Sequence, residues 1–231
     1  MIQNDGAIDA YILQHMDEES DYLKALYRQT HVKLLNPRMT SGHLQGRLLK
    51  MLVQMIRPHR ILEIGTFTGY SALCMAEGLA EGGLIHTYEI DDELEDFTRP
   101  WIEGSPYGDK VCFHIGNALH EVPQLGETFD LVFMDGDKRQ YMDYYEMALK
   151  YTSPNAFILA DNTLWDGHVV EKAYLCDRQT AAINEFNAFV AADSRVEKLI
   201  LPLRDGLTMI RKRTHPNPPC REGVESPKRT E

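Results

Sequence analysis

Arg60-Ile-Leu-Glu-Ile-Gly-Thr-Phe-Thr-Gly-Tyr-Ser71 is the stretch from which the fold is read. Arg60 to Ile64 is a short, largely apolar run of the kind that makes a buried strand. Gly65 and Gly69 mark a turn that lets the backbone approach a ligand closely, and a helix is expected from about Tyr70 to Ala80, ended by Gly82-Gly83. A second β-rich run, Leu84 to Ile90, completes a strand–helix–strand unit, and such units build parallel sheets.

Toward the C-terminus the pattern repeats. Asp91 is placed to cap another helix; Val111 to Ile115, Phe129 to Met134 and Ala156 to Ala160 add strands, with a helical run from Tyr141 to Tyr151 between the last two. Beyond Asp177, Ala181, Ile183, Phe186, Phe189 and Val190 recur at helical spacing before two β-like runs, Val196 to Leu203 and Leu207 to Ile210. Pro202 to Gly206 is short enough for a hairpin, so the last strand should insert antiparallel. The expected fold is α/β: a Rossmann-like, doubly wound, seven-stranded sheet with a final antiparallel strand. Toward the N-terminus, Ala7 to Leu35 predicts one or two amphipathic helices, Pro37 interrupts them, and Ser41 is read as the cap of a helix that Pro58 stops. The expected organisation is a helical cap over 1–57, a core over 58–213 and a disordered tail over 214–231, where Pro-rich, mixed-charge sequence cannot repay its ordering entropy.

Composition narrows the function. With 43% hydrophobic and 26% charged residues in 231, the chain is an ordinary globular one. Its 24 basic and 35 acidic residues give a net charge of −11 with no basic patch in the body of the chain, which argues against nucleic acid. The apolar runs fall far short of the ~20 residues that span a bilayer, and the N-terminus lacks a basic, apolar leader, so a cytoplasmic protein is expected. Cys74, Cys112, Cys176 and Cys220 form no C-x-x-C pair and are read as reduced structural thiols.

In a doubly wound sheet the ligand sits at the carboxyl ends of the strands. The first strand delivers Glu63 and the turn after it; G-x-G-x-x-G is not met, and Glu63 would repel a pyrophosphate, which argues against a nicotinamide-dependent oxidoreductase. The second strand ends in Glu89, an acid suited to ribose hydroxyls. Two acids and a tight turn fit a cationic nucleoside such as S-adenosylmethionine. The fourth and fifth strands deliver Asp135-Gly-Asp-Lys138 and Asp161-Asn162; if those ends are neighbours, Asp135, Asp161 and Asn162 converge as hard oxygen ligands for Mg²⁺ or a similar ion such as Ca²⁺ or Mn²⁺. Taken alone, Asp161-Asn162 reads equally well as a helix cap, and Trp165 as core packing or an aromatic wall for a planar substrate.

From about Thr40 to Arg213 the chain resembles the metal-dependent class I O-methyltransferases of the catechol and caffeoyl-CoA type. The resemblance is carried by Glu63-Ile-Gly-Thr-Phe-Thr-Gly-Tyr-Ser71, Phe129-Asp-Leu-Val-Phe-Met-Asp-Gly-Asp-Lys138, Asp161-Asn-Thr-Leu-Trp165 and Asp205-Gly206, and Met39 to Gly46 is similar to the cap helix of bacterial members. It implies a methyl-donor site on Gly65, Ser71, Glu89, Ala118 and Asp135, with Glu63 and Ser41 as lesser candidates, and a metal on Asp135, Asp161 and Asn162. Lys138 corresponds to the family's catalytic lysine, acting beside Asp135. Where the family usually has Asp-Ala after the third strand this chain has Asn117-Ala118, so the adenine amino group would meet an amide oxygen. The resemblance further implies a homodimer and an ortho-diphenol-like aromatic acceptor. A non-catalytic nucleoside-binding module would have no use for Lys138 beside those acids.

Overall fold

A computed structural model describes residues 6–174 and 176–214. Nearly all of the expected tail, with Cys220, lies outside the described residues. The elements are α1 (Gly6–Gln14), α2 (Asp21–Lys33), α3 (Gly42–Ile56), β1 (Arg60–Ile64), α4 (Tyr70–Gly78), β2 (Leu84–Glu89), α5 (Glu95–Glu103), β3 (Val111–Ile115), α6 (Ala118–Leu125), β4 (Phe129–Met134), α7 (Tyr141–Tyr151), β5 (Thr152–Asp161), α8 (Arg178–Ala192), β6 (Val196–Leu201) and β7 (Leu207–Lys212). One sheet in the order β3-β2-β1-β4-β5-β7-β6 carries them. β1 to β5 pair in parallel, and β7 runs antiparallel to both β5 and β6.

The period-2 alternation of the strands divides the core between the two faces of the sheet. Leu62, Ile64, Val132 and Ile158 pack with α6, α7 and α8, whereas Ile61, Ile85, Leu131 and Leu159 pack with α2 to α5. The N-terminal helices are unequal partners: α2 and α3 bury Leu23, Leu26, Leu49, Leu52 and Val53, while α1 buries nothing. No described helix is long and apolar enough to cross a membrane.

Two local readings are corrected. Ser41 does not cap α3 through its side chain; it is itself in the helical region, and its hydroxyl makes no capping bond. The fifth strand begins at Thr152, before Ala156, because a register shift between Phe129 and Leu131 and a left-handed Asn155 let Thr152 pair with Phe129 despite Pro154.

The strand order reverses between β1 and β4, and there the parallel ends are tied into a row. The Gly116 N–H donates to Glu89 O (2.7 Å), Gly65 N–H to Tyr88 O (2.9 Å) and Asp135 N–H to Ile64 O (2.8 Å). This row is the crevice in which a doubly wound sheet places its ligand.

Candidate active site

Packing within the chain itself already requires glycine at positions 65 and 69. Gly65 sits at φ +97°, and a Cβ there would lie 2.4 Å from the Asp135 carbonyl oxygen; at Gly69 (φ +79°) it would lie 2.9 Å from the Ile102 side chain. Gly65 thus lets the Asp135 backbone lie against the end of β1, and Gly69 lets Ile102 of α5 pack against the start of α4.

Glu89, at the end of β2, is tightly held. Its Oε2 accepts from Phe67 N–H (2.7 Å), and its Oε1 from Ile90 N–H (2.9 Å) and Asp91 N–H (3.0 Å). It therefore shapes the loop after β1 as well as offering a remaining lone pair to a ligand. Glu89→Ala is expected to lower the melting temperature by several degrees and to weaken donor binding, since each orphaned N–H costs roughly 1–3 kcal/mol. Thermal melts and donor calorimetry on the variant check both, and an unchanged melt would contradict this bonding.

Glu63 lies on β1 between its register partners Thr87 and Phe133 and is fully buried. Thr87 donates to its Oε2, Thr66 and Thr87 share a hydroxyl contact at 2.6 Å, and the Ser71 hydroxyl lies close enough to interact with the same carboxyl. Burial pushes its carboxyl up to about 8 against the opposing bonds from Ser71 and Thr87, with the charges of Asp135 and Glu89 reinforcing the rise. Because the folded value is raised above the ordinary 4.5, Glu63's contribution to stability is fully present below pH 4.5 and is lost as pH climbs through about 8. Glu63→Gln, which cannot ionise, should flatten the fall of melting temperature across that window. Parallel slopes for parent and variant would refute it.

The fourth and fifth strands end side by side, since Met134 pairs with Ala160, and Asp135 and Asp161 are the next residues. Asp161 is buried; Asn162 follows at φ +58°, a left-handed bend that asparagine tolerates. Burial, then the charge of Asp135, raises the Asp161 carboxyl above the usual range. Its Oδ1 accepts from Asn162 N–H (2.9 Å), and its Oδ2 from Gln45 Nε2 (2.7 Å). The pair does not cap a helix.

Lys138 opens a short 3₁₀ turn, Lys138–Gln140, whose cap is Asp137. It is buried, and its Nζ donates to Asp135 Oδ1 (2.8 Å) and to the Tyr141 hydroxyl (2.7 Å). Tyr141, fully buried, in turn directs its hydroxyl at Asp161 O (2.8 Å) and Met134 O (3.1 Å), so one phenol joins both strand ends to the lysine. Two carboxylates thus face one ammonium in a poorly hydrated corner. The charge deficit, and the Asn162 amide, which makes no side-chain hydrogen bond among the described residues, suit a small divalent cation. No trio of His, Cys, Asp or Glu with metal-binding geometry occurs among the described residues; the oxygen groups at this corner are the two acids and the Asn162 amide.

The other sequence candidates lie along the same edge. Ser71, in the first turn of α4, and Ala118, first in α6, are buried. Asn117 caps α6, its Oδ1 accepting from Leu119 N–H (2.9 Å), so the oxygen expected to meet adenine is already engaged by the helix. Ser41 is buried next to Thr40, whose carbonyl accepts from Arg204. Trp165, at φ +48°, is half-buried against the α7–α8 side of the core, so core packing and an exposed aromatic wall both describe it. Gly206 (φ +87°) lies so close that a Cβ would come within 2.4 Å of Leu164, and Leu164 N–H donates to Asp205 O at 2.7 Å. The β6–β7 hairpin therefore braces the Asn162–Trp165 loop. Tyr141, Gln45 and Arg204 were not found from sequence; Tyr141 carried the signal of standing three residues after Lys138, whereas Gln45 is 116 residues from its partner.

The O-methyltransferase family profile matches residues 13–213. Caffeoyl-CoA O-methyltransferases of Eucalyptus gunnii and Petroselinum crispum are similar to this chain, the first 34% identical over 224 residues, covering 92% of this chain and 89% of the relative. The second is 33% identical over 225 residues, covering 92% of each. Among solved structures, an O-methyltransferase from Bacillus cereus in complex with SAH superposes with a TM-score of 0.83 at 31% identity, over 90% of this chain and 97% of that one. One from Streptomyces achromogenes involved in tomaymycin synthesis, in complex with SAM, does so at 0.82 and 27% identity, over 90% and 96%.

Proposed function

Because the chain belongs to the S-adenosylmethionine-dependent O-methyltransferases of the caffeoyl-CoA type, we propose that it methylates one hydroxyl of a vicinal diphenol, such as a catechol or a caffeoyl-type ester, with Lys138 as base and a divalent metal, Mg²⁺ foremost, on Asp135, Asp161 and Asn162. The observation that carries the proposal is the emergence of Asp135 and Asp161 side by side at the ends of β4 and β5, next to the switch point of the sheet, with Lys138 paired to Asp135 at 2.8 Å. The homodimer belongs to the same reading, by resemblance.

A phenolic hydroxyl has a pKa near 10 and is a weak nucleophile at neutral pH. The metal, when bound, supplies Lewis-acid stabilisation of the phenolate and fixes the hydroxyl pair. Lys138 Nζ spends two of its positions on Asp135 and Tyr141, which leaves one for the acceptor hydroxyl. As the neutral amine it takes the proton there, and Asp135 stabilises the ammonium that results. The phenolate oxygen then forms a bond to the donor methyl while the sulfur–methyl bond breaks, its electron pair returning to sulfur. Glu89 is placed for the ribose, Gly65, Ser71 and Ala118 line the donor side, and the carboxylate of Asp135 favours a cationic donor over a neutral one.

Titration of the purified chain with S-adenosylmethionine and with NAD, each with and without Mg²⁺, followed by methyl transfer to catechol, a caffeoyl thioester, a flavonoid and a simple phenol, tests the reading. Donor binding and transfer to the vicinal diphenols that stops in chelator are expected. Equal turnover in chelator would sink the metal assignment, and transfer to simple phenols alone would sink the acceptor class.

A further inference from the structure

Gln45 joins three parts of the molecule that are remote in sequence. It lies in α3, is 1% exposed, and bonds Asp161 at the end of β5 and Arg204 in the β6–β7 hairpin. The orientation of its amide follows from chemistry. A guanidinium has only donors, so Gln45 Oε1 must face Arg204 Nη1 (3.0 Å), and Nε2 is thereby turned to donate to Asp161 Oδ2 at 2.7 Å. Arg204 is itself anchored, donating from both terminal nitrogens to Thr40 O at 3.2 Å, just before the buried Ser41.

We propose that Gln45, locked by Arg204, is a positioning residue that holds the Asp161 carboxylate in its metal-ligating orientation. The inference rests on the reading of Asp161 as a metal ligand. Asp161 stands beside the like charge of Asp135, which drives the two carboxylates apart in the absence of a cation. The Gln45 and Asn162 N–H groups take one lone pair on each Asp161 oxygen, stopping the carboxylate from turning away and leaving a second lone pair on each. Supporting partners of this kind typically set ligand orientation in metal sites. The same bonds connect the segment leading into α3, the hairpin that braces the Asn162 loop, and the acid itself.

The test is Mn²⁺ binding to the full chain, by calorimetry or by electron paramagnetic resonance of the free ion, in the parent, Gln45→Met, Arg204→Met and the double variant, with S-adenosylmethionine affinity measured in metal-free buffer. Gln45→Met keeps the volume and loses both hydrogen bonds; it is expected to weaken Mn²⁺ binding by about 10–100-fold, the usual scale for such partners, with metal-free donor affinity unchanged. Arg204→Met should give a smaller loss in the same direction. The double variant should be no worse than Gln45→Met, because the arginine acts through the glutamine. Parental Mn²⁺ affinity in Gln45→Met, or losses that multiply in the double variant, would overturn the proposal. Should Gln45→Met fail to fold, the exposed Arg204 decides the matter: unchanged metal affinity in Arg204→Met overturns it. A parent that binds no Mn²⁺ would instead bring down the metal reading itself, and this inference with it.

Discussion

Lys138→Met should slow methyl transfer by roughly 10²–10⁴-fold at neutral pH, the usual worth of a positioned general base, while donor affinity stays within about two-fold of the parent. The structure adds a sign to this expectation. Lys138 donates to Asp135 at 2.8 Å, so its ammonium competes with any cation for that carboxylate. Removing it leaves two neighbouring acids with no internal countercharge, and metal affinity should stay level or rise. Raising the pH should restore part of the rate, since hydroxide can then ionise the phenol without the lysine. A pH–rate profile at saturating donor, metal and catechol reads both effects. A variant as fast as the parent at pH 7 would remove Lys138 from the chemistry.

Asp161→Ala should behave in the opposite way toward the metal. It deletes one of two carboxylates and strands the buried Gln45 N–H that pointed at it, so metal-dependent turnover should vanish and Mn²⁺ binding should fall below detection. The proposed donor residues Gly65, Ser71 and Glu89, at the ends of β1 and β2 and the start of α4, share no hydrogen bond with Asp161, and S-adenosylmethionine affinity should therefore change little. The two variants thus agree in lost activity and part in metal binding. Retained, chelator-sensitive turnover in Asp161→Ala would show that the ion sits elsewhere.

The sheet was legible in the sequence because its signals are local. A buried parallel strand is a short apolar run bounded by turn residues, and Arg60 to Ile64, Leu84 to Glu89, Val111 to Ile115 and Phe129 to Met134 each carry that pattern within five or six residues. The acids at the strand ends were legible for a related reason: in a parallel sheet the last residue of every strand points to one edge, so Glu89, Asp135 and Asp161 share an edge once the strands are assigned. Even the antiparallel β7 followed from the length of one loop.

What only the tertiary structure decided are contacts between residues far apart in the chain, on which local periodicity is silent. The glycines of the first turn were legible as a turn, but that Gly65 yields to the Asp135 backbone and Gly69 to Ile102 depends on how β1, β4 and α5 are brought together. Ser41 has the chemistry of a cap, yet the chain entering α3 is fixed by Arg204 on the Thr40 carbonyl and the hydroxyl is not used. The raised carboxyl of Glu63 arises from complete burial between β2 and β4, and the hold of Gln45 on Asp161 spans 116 residues. Residue type and local pattern determined which groups reach the edge of the sheet. The close approach of α3, β5 and the β6–β7 hairpin determined which of them are locked there, because hydrogen bonds and desolvation depend on distances that only packing sets.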